Sequence, residues 1–334
     1  MRILLLRTWT TNIGNGFIDK GAYSLVKQAT EDDEIIEVSG FPNLVADHKS
    51  LGELSGIKGA MGSLGSWLAN LRRQKSDYPE RILNISELVD PDVAILPGCV
   101  LYQHGVGTYL PVLKNLQKRG IPLILLGAGG GDYNSDTIEE TKSMLEDIDV
   151  HGIITRDKKA YKHYTDIAEQ SYNGIDCAFF INDWYSPPYA NSTFDMATFD
   201  SITEPDVGNG RRVIRANHNP FEQPHRGIIK QLKFRFDNRR FYNNDDIFVS
   251  DNVKDYLFLY GNSTVTHSDR IHACVPALAY GKKAKFYYDT PRAALFDRVL
   301  EDDITDEIVA LDKSEIGKEK REQVSELSDI ISNI

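Results

Sequence analysis

Only three cysteines stand in the 334 residues, Cys99, Cys177 and Cys274, and no two of them form a C-x-x-C pair. That scarcity excludes a disulfide framework and a cysteine-rich zinc site, and it makes a reducing cytoplasm the expected compartment. Long apolar runs are missing too. The Ile3–Leu6 run, flanked by Arg2 and Arg7, is too short for a signal-peptide core. No stretch approaches the ~20 apolar residues of a membrane-spanning helix. Positive charge is in deficit: 38 Lys and Arg face 49 Asp and Glu, a net charge of −11. A chain of that sign lacks the basic face with which nucleic-acid binders neutralise phosphates, so no nucleic-acid partner is expected. The deficit still leaves room for a local basic pocket that takes a small anion.

What is present is an ordinary globular balance, 41% hydrophobic and 26% charged residues. At ~150 residues per domain the length implies two domains. Short all-apolar runs alternate with amphipathic stretches, the pattern of parallel strands covered by helices on both faces. Strands are expected at Ile3–Leu6, Glu34–Val38, Val93–Leu96, Pro122–Leu126 and Gly152–Thr155. Helices are expected at Ile18–Ala29, around Ser66–Arg73, at Thr108–Lys118, over 136–147 and at Lys158–Tyr164. Residues 182–210 break the rhythm with Pro187-Pro188, Pro205, Gly208 and Gly210, and read as a crossover. The rhythm then resumes with strands Arg212–Ala216, Ile247–Ser250, Thr264–His267 and Ala284–Tyr288. Helices Asn252–Tyr260, Ser268–Tyr280, Arg292–Leu300 and Lys313–Ile331 accompany them. The expectation is an α/β protein of two Rossmann-like doubly wound domains in tandem, 1–181 and 211–334, joined by 182–210. The final helix is expected to pack back on the N-terminal domain.

Ligands of open α/β sheets bind beyond the carboxyl ends of the strands, and four segments there carry chemistry. Thr11–Gly16 follows the first strand. It reads either as a tight turn or as a loop whose glycines and helix start admit an anion, with Asn12, Gly14 and Asn15 as binding candidates. Pro97–Gly105 holds His104, placed for proton transfer or simply a surface residue. Gly127–Gly131 offers either a backbone concavity for an anion, with Gly129 and Gly130 at its centre, or a hinge. The sharpest is His267–Cys274. There Ser268 is a candidate N-cap, and Ile271, Val275 and Leu278 would face the core. Arg270 and His272 would sit at the cleft mouth, or in an interdomain salt bridge and a near-core hydrogen bond respectively. Pro276 should kink that helix. Arg156 ends the Gly152–Thr155 strand, as half of an anion clamp with Arg270 or as an ion pair with Asp157. Trp184, Tyr185 and Tyr189 either stack on a sugar or pack the boundary between domains.

Together these segments resemble the polysaccharide pyruvyl transferase family. Asn12-Ile13-Gly14-Asn15-Gly16 is similar to its N-terminal Asn-x-Gly-Asp loop, and Pro97-Gly98 to its Gly-rich turn. Gly152–Asp157 is similar to its strand ending in Arg-Asp or Arg-Glu. Ser268-Asp269-Arg270-Ile271-His272-Ala273, followed by Ala277–Lys282, resembles its Ser-Arg-Leu-His stretch, Ala-rich helix and Gly-x-Pro. Asn15 in place of Asp, Asp269 within the Ser-Arg pair, Pro276, and Lys283 in place of Pro depart from that pattern.

The resemblance implies a GT-B-like fold and transfer of a pyruvyl group from phosphoenolpyruvate to a sugar as a ketal. It implies a site of two histidines and two arginines: Arg156, Arg270 and His272 match directly, and His104 fills the fourth place. His272 is then the expected general acid, His104 the second proton-transfer group, and Ser268 joins the binding residues. No cofactor or metal is called for. The acceptor leaves room for membrane contact if it is lipid-linked. Two rival readings remain, a GT-B glycosyltransferase using a nucleotide sugar and a non-catalytic sugar- or anion-binding relative. Against the first, no Glu opens a helix after a Gly-rich loop in the second half.

Overall fold

The computed structural model describes residues 1–8, 12–30, 32–40, 83–207, 210–218, 241 and 244–334. The helix expected around Ser66–Arg73 lies outside these. The first half builds a six-stranded sheet from β1 (Arg2–Arg7), β2 (Glu34–Ser39), β3 (Val93–Pro97), β4 (Leu123–Ala128), β5 (Val150–Thr155) and β6 (Gln170–Asn173), in the order β2-β1-β3-β4-β5-β6. Every pairing is parallel. The apolar runs of β3, β4 and β5 are buried along their whole length, which helices on both faces of a parallel sheet require. Helices α1 (Ile13–Thr30), α2 (Gln103–Lys118), α3 (Ser135–Leu145) and α4 (Lys158–Tyr164) supply that cover.

The second sheet is also parallel, in the order β11-β10-β7-β8-β9: β7 (Asp195–Thr198), β8 (Val213–Ala216), β9 (Ile247–Phe248), β10 (Val265–Ser268) and β11 (Lys283–Phe286). Beside it stand the short α5 (Ile181–Trp184), α6 (Val253–Asn262) and α7 (Ile271–Ala279), and the last helix is α8 (Lys313–Ser332). Residues 182–210 are therefore more than a crossover. They contribute β7, the strand at the centre of the second sheet, hidden in sequence by the Pro- and Asn-rich residues around it. Helix α1 also begins earlier than expected, so Gly14 and Gly16 lie in its first turn, and α2 begins at Gln103, which puts His104 on a helix. The Arg292–Leu300 helix is a short 3-10 turn at Pro291–Leu295.

One continuous apolar core runs through both halves, from Ile3 and Phe17 to Met196, Tyr256, Cys274 and Phe286. At the seam, Phe17 of α1 meets His218, Tyr256 and Tyr260 edge-on, with ring centroids 5.8, 6.5 and 6.0 Å apart. Helix α8 returns to the N-terminal sheet. Its Leu327, Ile330 and Ile331 are buried there, and Gln323 bonds both the N–H (2.6 Å) and the carbonyl (3.2 Å) of Ile175. In each sheet the strand order reverses at one point, between β1 and β3 and between β7 and β10. The segments that follow those strand ends build the site.

Candidate active site

The second switch point is closed by Ser268, the last residue of β10. Its hydroxyl donates to the Thr198 carbonyl of β7 (2.7 Å) and accepts from Arg270 N (2.8 Å). Ser268 thus fastens two strand ends, and the N-cap of α7 is Arg270 with extended backbone (φ −109°, ψ 121°), a correction to the expected start at Ser268. Ile271, Val275 and Leu278 face the core, as their spacing predicts. The break in α7 falls at His272 (φ −80°, ψ 19°) rather than at Pro276. The reason is the four-residue offset: Pro276 has no N–H for the His272 carbonyl, and its ring crowds that same carbonyl. The proline thereby sets the backbone of the histidine.

From there a buried chain of charge runs into the first domain. His272 Nε2 lies 3.2 Å from Asp176 Oδ2, and the same oxygen accepts from Arg156 Nη1 at 2.9 Å. Asp176 Oδ1 accepts from Ala178 N at 2.9 Å, capping the 3-10 turn Cys177–Phe180. Arg156 is 1% exposed and Asp176 fully buried. Burial favours a protonated Asp176, but His272 and Arg156 outweigh it and hold the carboxyl well below its usual range. Burial pushes the His272 imidazole below its ordinary value against the pull of Asp176. An ionised carboxylate only accepts, so His272 donates Nε2–H to it, and Nδ1 is the nitrogen left to exchange a proton. Arg156 is consequently no open anion clamp. It belongs to Asp176 rather than to Asp157, whose carboxylate caps α4 at Ala160 N (2.8 Å).

Two glycines admit this arrangement. A Cβ on Gly14 would stand 2.9 Å from His272 Cβ, and one on Gly129 would stand 2.2 Å from Arg156 Nε. The other candidate binding groups are committed to structure. Asn12 Oδ1 accepts from Gly14 N (2.8 Å) and so caps α1, while Ile13 N donates across the seam to the His218 carbonyl (2.8 Å). Gly129 N bonds Gly98 O at 3.4 Å. Gly130 N bonds the Tyr133 hydroxyl (2.9 Å), which itself donates to Asp157 (2.7 Å). With those amides taken, Gly129 and Gly130 do not form the expected anion concavity. Asn15 is half-buried on the first turn of α1. His104 is exposed on the first turn of α2, and its ring bonds no described residue. Trp184 and Tyr185 pack against the core under Lys254, 5.4 Å from each ring, while Tyr189 is 99% exposed.

The open cation is Arg270, whose side chain is 22% exposed and pairs through Nε with Asp200. Burial and, after it, the like charge of Arg292 push its guanidinium down to about 10, still charged at neutral pH. No described residue accepts from its Nη groups. Arg292, exposed within the Pro291–Leu295 turn, is a second cation near enough for its charge to act on Arg270. Behind His272 lies His218, which is buried, pushed down to about 3 by burial and then by His272, and bonded to the Tyr260 hydroxyl at 2.5 Å.

Sequence reasoning missed Asp176, Asp200, Arg292 and His218. His218 directly follows a recognised strand and was findable on that ground. Asp176 lies in a segment whose place beside His272 depends on tertiary contact, and Asp200 follows a strand that was not recognised.

The fold class is GT-B-like, two Rossmann-like α/β domains each built on a parallel sheet. A UDP-N-acetylglucosamine 2-epimerase from Rickettsia bellii is similar at TM-score 0.50 and 12% identity, covering 99% of this chain and 96% of the other. One from Methanocaldococcus jannaschii is similar at TM-score 0.48 and 13% identity, covering 100% of both chains. No curated protein matches in sequence. The model of the polysaccharide pyruvyl transferase family matches residues 12–284. The chain belongs to that family and is a transferase.

Proposed function

We propose that the protein transfers a pyruvyl group from phosphoenolpyruvate to two hydroxyls of a sugar, forming a cyclic ketal and releasing inorganic phosphate. The observation that carries this reading is the buried His272–Asp176–Arg156 chain, with Arg270 two residues from His272 and Arg292 near enough for its charge to bear on both. A donor with a phosphate and a carboxylate suits two cations, so Arg270 and Arg292, rather than Arg270 and Arg156, are the proposed clamp. Addition of the first hydroxyl at C2 releases its proton to His272 Nδ1 while the methylene carbon takes a proton from a general acid, the role proposed for His104, and becomes a methyl group. Attack of the second hydroxyl at C2 expels phosphate, and its proton leaves with that phosphate. His272 is therefore proposed as general base, where the sequence had suggested an acid. His104 is proposed as the second proton-transfer group, at the rim.

The test is phosphate release from phosphoenolpyruvate in the presence of sugar acceptors, with the ketal methyl followed by NMR. Arg270→Ala should abolish release; near-wild-type turnover would remove Arg270 from the donor site. A thermal-shift panel should show stabilisation by phosphoenolpyruvate, since a ligand stabilises only the state that binds it. Stabilisation by a UDP-sugar alone would instead favour a nucleotide-sugar enzyme.

A further inference from the structure

We propose that Asp200 sets how tightly the donor site holds a phosphate-type anion, by competing with that anion for the guanidinium of Arg270. This rests on the phosphoenolpyruvate reading above and concerns the same site. Arg270 and Arg292 bring two like charges together, and Asp200 is the carboxylate that the fold sets against Arg270. Its place is built rather than incidental. Asp269 accepts hydrogen bonds from three successive backbone N–H groups, those of Asp200 (3.0 Å), Ser201 (2.6 Å) and Ile202 (2.9 Å). The Thr198–Ser268 bond holds the strand ends beneath that turn. Adjacent residues thus present the cation, Arg270, and anchor the segment carrying its counter-ion.

The chemistry gives such a device a purpose. Two uncompensated arginines would grip the product phosphate as firmly as the donor's phosphate, and turnover would wait on its release. A fixed carboxylate on one arginine lowers the hold on both anions while keeping the guanidinium oriented through Nε.

Asp200→Asn keeps an oxygen for Nε and removes only the charge. Inorganic phosphate, titrated calorimetrically at low ionic strength, should bind roughly tenfold tighter to this variant, the scale of one partly screened charge contact. Phosphate should also become a stronger product inhibitor, and KM for phosphoenolpyruvate should fall without a rise in kcat. If Asp200 merely props Arg270 in place, phosphate affinity will stay the same in Asp200→Asn or drop in Asp200→Ala, and either result overturns the proposal. In an Arg270→Gln background the Asp200→Asn effect should vanish; tightening that persists overturns the route through Arg270. Asp200→Ser provides the same comparison should Asp200→Asn fail to fold. Wild-type protein that releases no phosphate from phosphoenolpyruvate would defeat the phosphoenolpyruvate reading, while the phosphate titration would still decide the role of Asp200.

Discussion

Asp176 shows how much one carboxylate oxygen can organise, since it takes Arg156 from one strand end and His272 from the opposite domain. Asp176→Asn keeps the size but offers no charge to the imidazole. It should lower kcat for phosphate release by ~10²-fold or more, within the range of lost proton-transfer catalysis. Asp176→Ala leaves Arg156 buried and unpaired, which should cost about 3–5 kcal/mol in denaturant unfolding. His218 makes a separate prediction about pH. Its folded value near 3 lies below the ordinary 6.5, so on acidification the unfolded chain takes up the proton first. The stability linked to neutral His218 is complete above that window. It declines as pH falls from about 6.5 towards 3, by at most ~1.4 kcal/mol per unit. Denaturation midpoints measured across this range should flatten in His218→Gln relative to wild type.

At the level of elements, the conformation of α7 depends on Pro276 acting four residues upstream. Pro276→Ala would restore an N–H for the His272 carbonyl and let the first turn close as a regular helix. We expect the melting temperature to hold or rise while kcat falls at least ~10-fold, because His272 turns away from Asp176. Unchanged kcat with the variant folded would show that the break does not set the histidine. Element order was largely readable: the apolar runs at Val93–Leu96 and Gly152–Thr155 and the Lys158–Tyr164 helix stand where periodicity put them. β7 escaped because Asp195–Thr198 is only four residues long and lies among loop-forming residues. The Gly-rich segments read as backbone for an anion, and in the structure they border the His272–Asp176–Arg156 chain. Gly14 and Gly129 make space for His272 and Arg156, and amides near them are bonded within the protein.

Across the whole molecule, a shared core makes the two sheets one structural unit. Leu327 of α8 is fully buried against the N-terminal half although it lies beyond the second sheet in sequence. Leu327→Ala should cost about 2–5 kcal/mol, the range for such truncations. Unfolding should remain a single transition by both tryptophan fluorescence and circular dichroism; two separated transitions would show the halves to be independent. Among the described residues no helix is long and apolar enough to cross a membrane.

Residue order alone carried the strand–helix alternation, the doubling of the domain and the motifs at the strand ends, because these follow from local spacing and from short segments read in order. Which charges meet was beyond its reach. Arg156 had Asp157 beside it in sequence but is paired with Asp176, and Arg270 faces Asp200, 70 positions away. Such pairings arise only when two sheets pack and water leaves between them. Burial then makes an unpaired charge costly enough to select its partner, and the same burial pushes the His272 imidazole below its ordinary value.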